Sequence, residues 1–154
     1  MLTKLATVPS LASINELELA ARLGVALLAG GVIGMDRELR GKAAGIRTYI
    51  LVSLGSAFFI LIPIQLDLVR QNADAFSRVL QGIITGIGFV GGGVILHKST
   101  DHSEDATVKG LTSAVAIWIA AALGTTAGCG LWRLALIGAG LCFFVLRVLK
   151  QLES

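Results

Sequence analysis

The sequence predicts an all-α fold, an integral membrane helical bundle of about five transmembrane helices. Three observations predict it. Hydrophobic residues make up 55% of the 154 positions and charged residues only 15%, whereas a soluble domain carries roughly 25% charged residues to face water. The mean hydropathy is +0.81. The apolar residues also fall into runs close to the roughly 20 residues that a helix needs to cross the hydrocarbon core. Glycine is abundant at 19 residues and proline rare at 2, a balance that suits closely packed membrane helices better than a linker.

Each span has its own signature. The first, residues 17–35, carries Glu18 and Arg22 near its outer end, four apart on one helix face and able to pair. Gly30 and Gly34 repeat that spacing further along the same span, where small residues let backbones approach. Residues 49–66 hold no charge, and residues 79–96 are uncharged and rich in glycine. Residues 110–130 form the longest uncharged stretch. Residues 131–149 close the set, with Arg133 and Arg147 near the ends, where long side chains can snorkel to the interface. Pro9, Glu16 and Glu18 precede the first long apolar run, so no cleavable signal is evident and one membrane domain, 1–154, is the simplest account.

The connections are polar and mostly short: residues 36–47, a segment around Asp67, Arg70, Asn72 and Asp74, residues 97–109, and a tight turn near Gly128 and Gly130. Arg37, Arg40, Lys42, Arg47, Lys98, Lys109, Arg147 and Lys150 fall on one side of such a bundle. Lys4, Arg22, Arg70, Arg78 and Arg133 fall on the other, several of them inside span edges. The positive-inside rule therefore places the first linker, the third linker and the C-terminus in the cytoplasm, with the N-terminus outside.

Other classes lose weight in turn. The formal charge of +3 and pI near 9.2 come from basic residues scattered between apolar spans, not from a continuous stripe, which argues against nucleic acid. Cys129 and Cys142, if on one helix, would stand roughly 20 Å apart at 1.5 Å per residue, too far to bridge. His97 and His102 flank a loop with Asp101, Glu104 and Asp105, but the spacing matches no structural zinc pattern, so any metal site stays unknown. No nucleophile, base and orienting group converge, so an enzyme is not expected.

Gly86-Ile87-Gly88-Phe89-Val90-Gly91 spells the dinucleotide pattern GxGxxG. That fingerprint requires a strand turning into a helix; here it lies inside an apolar run, and no cofactor is expected. Packing explains the glycines better, with Gly82 and Gly86 four apart on one face. Gly91-Gly92-Gly93 weaken a helix, so close packing and a break in the third span both remain open; an unwound segment would be tolerable only where buried in protein or lining a wet cavity.

The densest polar cluster, Asp36, Arg37, Glu38 and Arg40 with Arg47-Thr48 beyond it, is either a solvated loop or a buried network joining two helices. Arg78 opens the third span at an interface. Spans two to four contain no Asp, Glu, Lys or His at their centres, whereas secondary transporters usually place ionisable groups at the midplane.

These residues together resemble the MgtC/SapB family of bacterial inner-membrane proteins. The resemblance covers roughly residues 23–130. It rests on Gly34-Met35-Asp36-Arg37-Glu38, Ala44-Gly45-Ile46-Arg47-Thr48, and Ser77-Arg78 followed by Gly82 and the run from Gly86 to Ile95. It continues in Lys109-Gly110-Leu111-Thr112-Ser113-Ala114 and Ile117-Trp118. The resemblance implies about five spans and places Asp36, Arg37, Glu38, Arg47, Thr48 and Arg78 inside family motifs, favouring a functional or architectural network. The glycines Gly82, Gly86, Gly88, Gly91, Gly92 and Gly93 fall there too, Gly92 where many relatives carry alanine. The family is associated with adaptation to scarce magnesium and survival inside hosts. Longer members carry a soluble C-terminal domain beyond the membrane part.

The expectation is thus a non-enzymatic module of the bacterial inner membrane, self-associating as a homodimer or larger homo-oligomer and regulating another membrane protein in magnesium stress. Any effect of Mg²⁺ on it is unproven. The alternative is a channel or transporter for Mg²⁺ or another small solute, using a broken third span with Arg78 or the Asp36–Arg47 cluster at its entrances. Hydrated Mg²⁺ needs few protein ligands, which keeps that alternative open.

Overall fold

The computed structural model describes residues 14–68, 73–98 and 110–149. The described residues form five α-helices and no strand: α1 Glu16–Leu39, α2 Ile46–Gln65, α3 Ala73–Lys98, α4 Leu111–Gly128 and α5 Trp132–Phe144, the last continued by a π-helical turn, Val145–Leu149. The first four are long and apolar enough to cross a membrane.

Local chemistry sets the ends of α1. The Asn15 side chain accepts a hydrogen bond from the Leu17 amide at 2.8 Å, and Glu16 and Glu18 occupy the first turn, at the positive end of the helix dipole. At the far end Gly41 adopts φ +59°. Its amide donates to the Glu38 carbonyl, and the Lys42 amide to the Arg37 carbonyl, both at 3.0 Å. This closes the helix through a left-handed residue that glycine adopts without a steric penalty.

The centre of the bundle is α4, which packs on α1, α2, α3 and α5. Buried residues make up 61% of its apolar stretch but 11% of that of α3. Small residues make this placement possible. Ala114, Ala116, Ala120, Ala121 and Ala127 are buried along α4, and Gly124 lies so close to the Ser53 backbone of α2 that no Cβ fits. Between α1 and α2, a Cβ on Gly30 would stand 2.6 Å from the Tyr49 carbonyl oxygen, and one on Gly34 2.7 Å from the Ile46 Cα. In a lipid solvent, where apolar burial does not drive helix association, such close van der Waals contact and interhelical hydrogen bonding hold the helices together. Such bonds cross the core: the Ser53 hydroxyl donates to the Ala26 carbonyl at 2.7 Å, and the Tyr49 hydroxyl to the Ser113 carbonyl at 3.2 Å.

Several expectations change. The first helix continues four residues past the predicted end at 35, so Asp36, Arg37 and Glu38 lie on its last turns and not in a linker. The third helix is unbroken through Gly91, Gly92 and Gly93, and the GxGxxG run is therefore helical along its length. The broken-span alternative fails because consecutive glycines weaken a helix without forbidding it. Gly82 and Gly86 do not pack helix against helix within the chain: a Cβ on Gly82, Gly86, Gly88, Gly92 or Gly93 would meet nothing within 4 Å, and Gly91 alone of the six approaches a neighbour, Ala114 of α4. Cys129 follows α4 whereas Cys142 lies on α5, so they do not share one helix; both are free thiols. The loop residues His102, Asp101, Glu104 and Asp105 lie outside the described residues, as does Arg70.

Candidate functional site

At the end of the bundle where α1 hands over to α2, the charged residues are folded inward. Asp36 is buried, with its carboxylate almost wholly removed from solvent. Arg37 beside it is equally buried and donates from Nη2 to Oδ2 at 2.8 Å. Arg40, one turn later and a quarter exposed, donates from Nε to Oδ1 at 2.9 Å. Arg147, on the π-helical turn, brings Nη1 to 3.9 Å from the same Oδ1 and lays its guanidinium over the Phe143 ring at 5.7 Å. One carboxylate thus gathers three guanidinium groups, and through Arg147 it joins the end of α1 to the turn that continues the fifth helix. An ion so buried is tolerable only when paired and hydrogen-bonded.

Beneath the cluster, Tyr49 of α2 shares a core with Ile33 of α1, and Cys142 of α5 and Leu146 of the π-helical turn pack against it, so the site rests on α1, α2 and α5. Its other member faces away. Glu38 accepts a hydrogen bond from the Ile46 amide at 2.9 Å, and its carboxylate fills the place that a Cβ on Gly45 would take. An acidic side chain at a helix N-terminus satisfies a free amide and meets the positive end of the dipole. Glycine at 45 is therefore what lets α1 cap α2.

Of the six polar residues singled out from the sequence, the structure brings Asp36 and Arg37 into one ion-pair cluster and sets Glu38 next to it as a cap. Arg47 is exposed and Thr48 half-buried on the first turn of α2; Arg47 makes no ion pair among the described residues. Arg78 does not join them. It is exposed near the start of α3, where Phe76 and Val79 pack near Ile60 of α2 and Cys129 beyond the end of α4, at the opposite end of the bundle. Arg22 belongs to that end as well: it pairs with Glu18, as its spacing predicts, and also donates to the Gly128 carbonyl at the C-terminus of α4.

Arg147 is the residue that the sequence undersells. Its place near the end of an apolar run suggests simple snorkelling, and only the fold carries it to Asp36. Among the described residues, no group of three or more His, Cys, Asp and Glu converges on a point that could hold a metal ion.

Apolar grooves flank α3. One of about 590 Å³ lies between α2 and α3, lined by Gly55, Phe59, Val79, Gly82, Gly86 and neighbouring residues. A second of about 350 Å³ lies between α3 and α4, bordered by Phe76, Trp118 and Cys129. Neither offers a charged side chain. No solved structure matches the chain significantly.

Comparison with known sequences places the whole arrangement. SrpB of Synechococcus elongatus is 45% identical over 141 residues, covering 89% of this chain and 78% of SrpB. YhiD of Escherichia coli K12, named as a candidate magnesium transporter, is 37% identical over 142 residues, covering 88% of this chain and 62% of YhiD. The protein MgtC of Brucella abortus is 39% identical over 112 residues, covering 73% of this chain and 43% of its own length. The chain therefore spans only about half the length of several relatives it matches. The sequence model of the MgtC family matches residues 23–154, from the first span through the charged cluster and its arginine on the π-helical turn; a bacterial membrane protein with these helices and these relatives belongs to the MgtC family.

Proposed function

We propose that this chain is a non-enzymatic module of the bacterial inner membrane that associates with itself and regulates another membrane protein during adaptation to low magnesium. The observation that carries the reading is the contrast between charge and surface. Asp36 and its arginines are engaged with one another between helices, while α3 presents an almost bare face. At 100° per residue, Gln81, Thr85, Gly88 and Gly92 follow one another along one side of α3, and the first three are exposed. A stripe of small and amide- or hydroxyl-bearing residues in lipid is suited to a second helix, because backbones can approach and polar groups find partners.

Transport of a cation or small solute is the second reading, favoured by the name of YhiD and by a buried carboxylate at a helix end. Against it stands the unbroken α3, and spans whose centres carry no acidic residue. The orientation follows the positive-inside rule, with the Asp36 end and the C-terminus facing the cytoplasm.

Two measurements on the purified chain in lipid test the proposal. Gly88→Leu with Gly92→Leu, at positions on that stripe where a side chain has room within one chain, is expected to leave the helices folded and to abolish cross-linked homo-oligomers. Intact oligomers would overturn the association. Liposomes carrying only this chain are expected to show no Mg²⁺ flux under an imposed gradient; sustained flux would move the function to transport.

A further inference from the structure

Within the described residues the Asp36 cluster carries more positive than negative charge. Among the described residues its one carboxylate faces three guanidinium groups, from Arg37, Arg40 and Arg147. The nearest other acid along the chain, Glu38, is turned to the Ile46 amide, and Glu16 and Glu18 lie at the far end of α1. Among the described residues, two positive charges are therefore left over at a site half withdrawn from water. In addition, the Nε of Arg37 is buried and has no hydrogen-bond partner, although Arg37 is only 2% exposed. A buried charged donor without an acceptor is costly, and an unsatisfied group of this kind calls for an explanation.

The cluster also has an open side. Arg40 keeps 24% and Arg147 53% of the side chain exposed, so a ligand can be met from outside while Arg37 supports the site from within. It lies on the last turns of a helix long and apolar enough to cross a membrane, and charged groups at the ends of such helices meet the lipid headgroups and their phosphates. Guanidinium groups match phosphate oxygens in planar, paired hydrogen bonds, and several around one point strengthen the match.

We propose that Arg37, Arg40 and Arg147, held together by Asp36, form a binding site for a phosphate-type anion at the membrane boundary. The anion is the headgroup of an acidic phospholipid or a free phosphate. It supplies negative charge beside the partly exposed Arg40 and Arg147 and, through a bridging water, an acceptor for the buried Arg37 guanidinium. Asp36 arranges the arginines so that they converge without repelling one another apart. The site is independent of the self-association of α3, which lies elsewhere on the bundle.

The test uses the full chain in detergent, with thermal unfolding and native mass spectrometry as readouts. Phosphatidylglycerol is expected to raise Tm several degrees above the value in phosphatidylcholine and to be retained in preference when the two compete. Arg40→Gln with Arg147→Gln is expected to weaken that preference about tenfold, while Arg133→Gln, at the other end of α5, leaves it unchanged. Inorganic phosphate against chloride at equal ionic strength separates the sources: stabilisation by phosphate assigns a free anion, and stabilisation by phosphatidylglycerol alone assigns the lipid. Equal behaviour of the two lipids with no response to phosphate would overturn the proposal. So would a double variant that prefers phosphatidylglycerol as strongly as the original chain, or an Arg133→Gln variant that loses the preference equally.

Discussion

The same residue, glycine, is used in opposite ways in the two halves of this bundle. Along α1 and α4, Gly30, Gly34, Gly124 and Gly128 stand where another backbone or side chain occupies the space of a Cβ. Along α3, Gly82, Gly86, Gly88, Gly92 and Gly93 face open space. Four-residue spacing between small residues marks both regions, so spacing alone does not say whether a helix packs within its own chain. What differs is the neighbour. α4 is enclosed by all four other helices, whereas α3 rests on α4 and only lightly on α2. A glycine inside the tight region is a structural requirement, and one on α3 is surface available to lipid or to another molecule.

The sharpest way to break that comparison is Gly124→Ala. The added methyl would meet the Ser53 carbonyl oxygen and Cα of α2, which are backbone atoms and cannot rotate away. Overpacking of this kind costs about 3 kcal/mol, and thermal unfolding in detergent should show a large fall in Tm; an unchanged Tm would mean that α2 and α4 are not in contact there. Next in size, Ser53→Ala removes the hydroxyl that bonds the Ala26 carbonyl. Interhelical bonds of this type contribute about 0.6 kcal/mol on average in a membrane, so a small but measurable loss is expected, without a change in helix content by circular dichroism. The smallest effect has the opposite sign. Gly93→Ala adds a methyl in open space within a helix interior, where alanine is favoured by about 0.5–1 kcal/mol. The dispersed chain should become slightly more stable, and a loss as large as that at Gly124 would show that α3 packs more closely than its exposure indicates.

A similar contrast holds for charge. Arg22 pairs with Glu18 at the helical spacing visible in the sequence, and its added bond to the Gly128 carbonyl joins α1 to the end of α4. The Asp36–Arg40 pair has the same four-residue spacing. The Asp36–Arg147 approach has no counterpart in any local pattern, since it depends on α5 returning alongside α1. For the same reason Arg78 and Asp36 share a place among the family's motifs yet occupy opposite ends of the molecule.

By itself the sequence determined that the chain is helical and membrane-spanning, because the length and apolarity of its runs leave lipid as the only solvent that fits them. It also determined the family and the local ion pairs, which depend on ordered motifs and on a 3.6-residue period. Only the tertiary structure decided which glycines are enclosed, that α3 continues through three consecutive glycines, and that Arg147 reaches Asp36. Those outcomes depend on which helices become neighbours. In a bilayer nearly every helix face is apolar, so hydropathy does not distinguish the side that meets protein from the side that meets lipid.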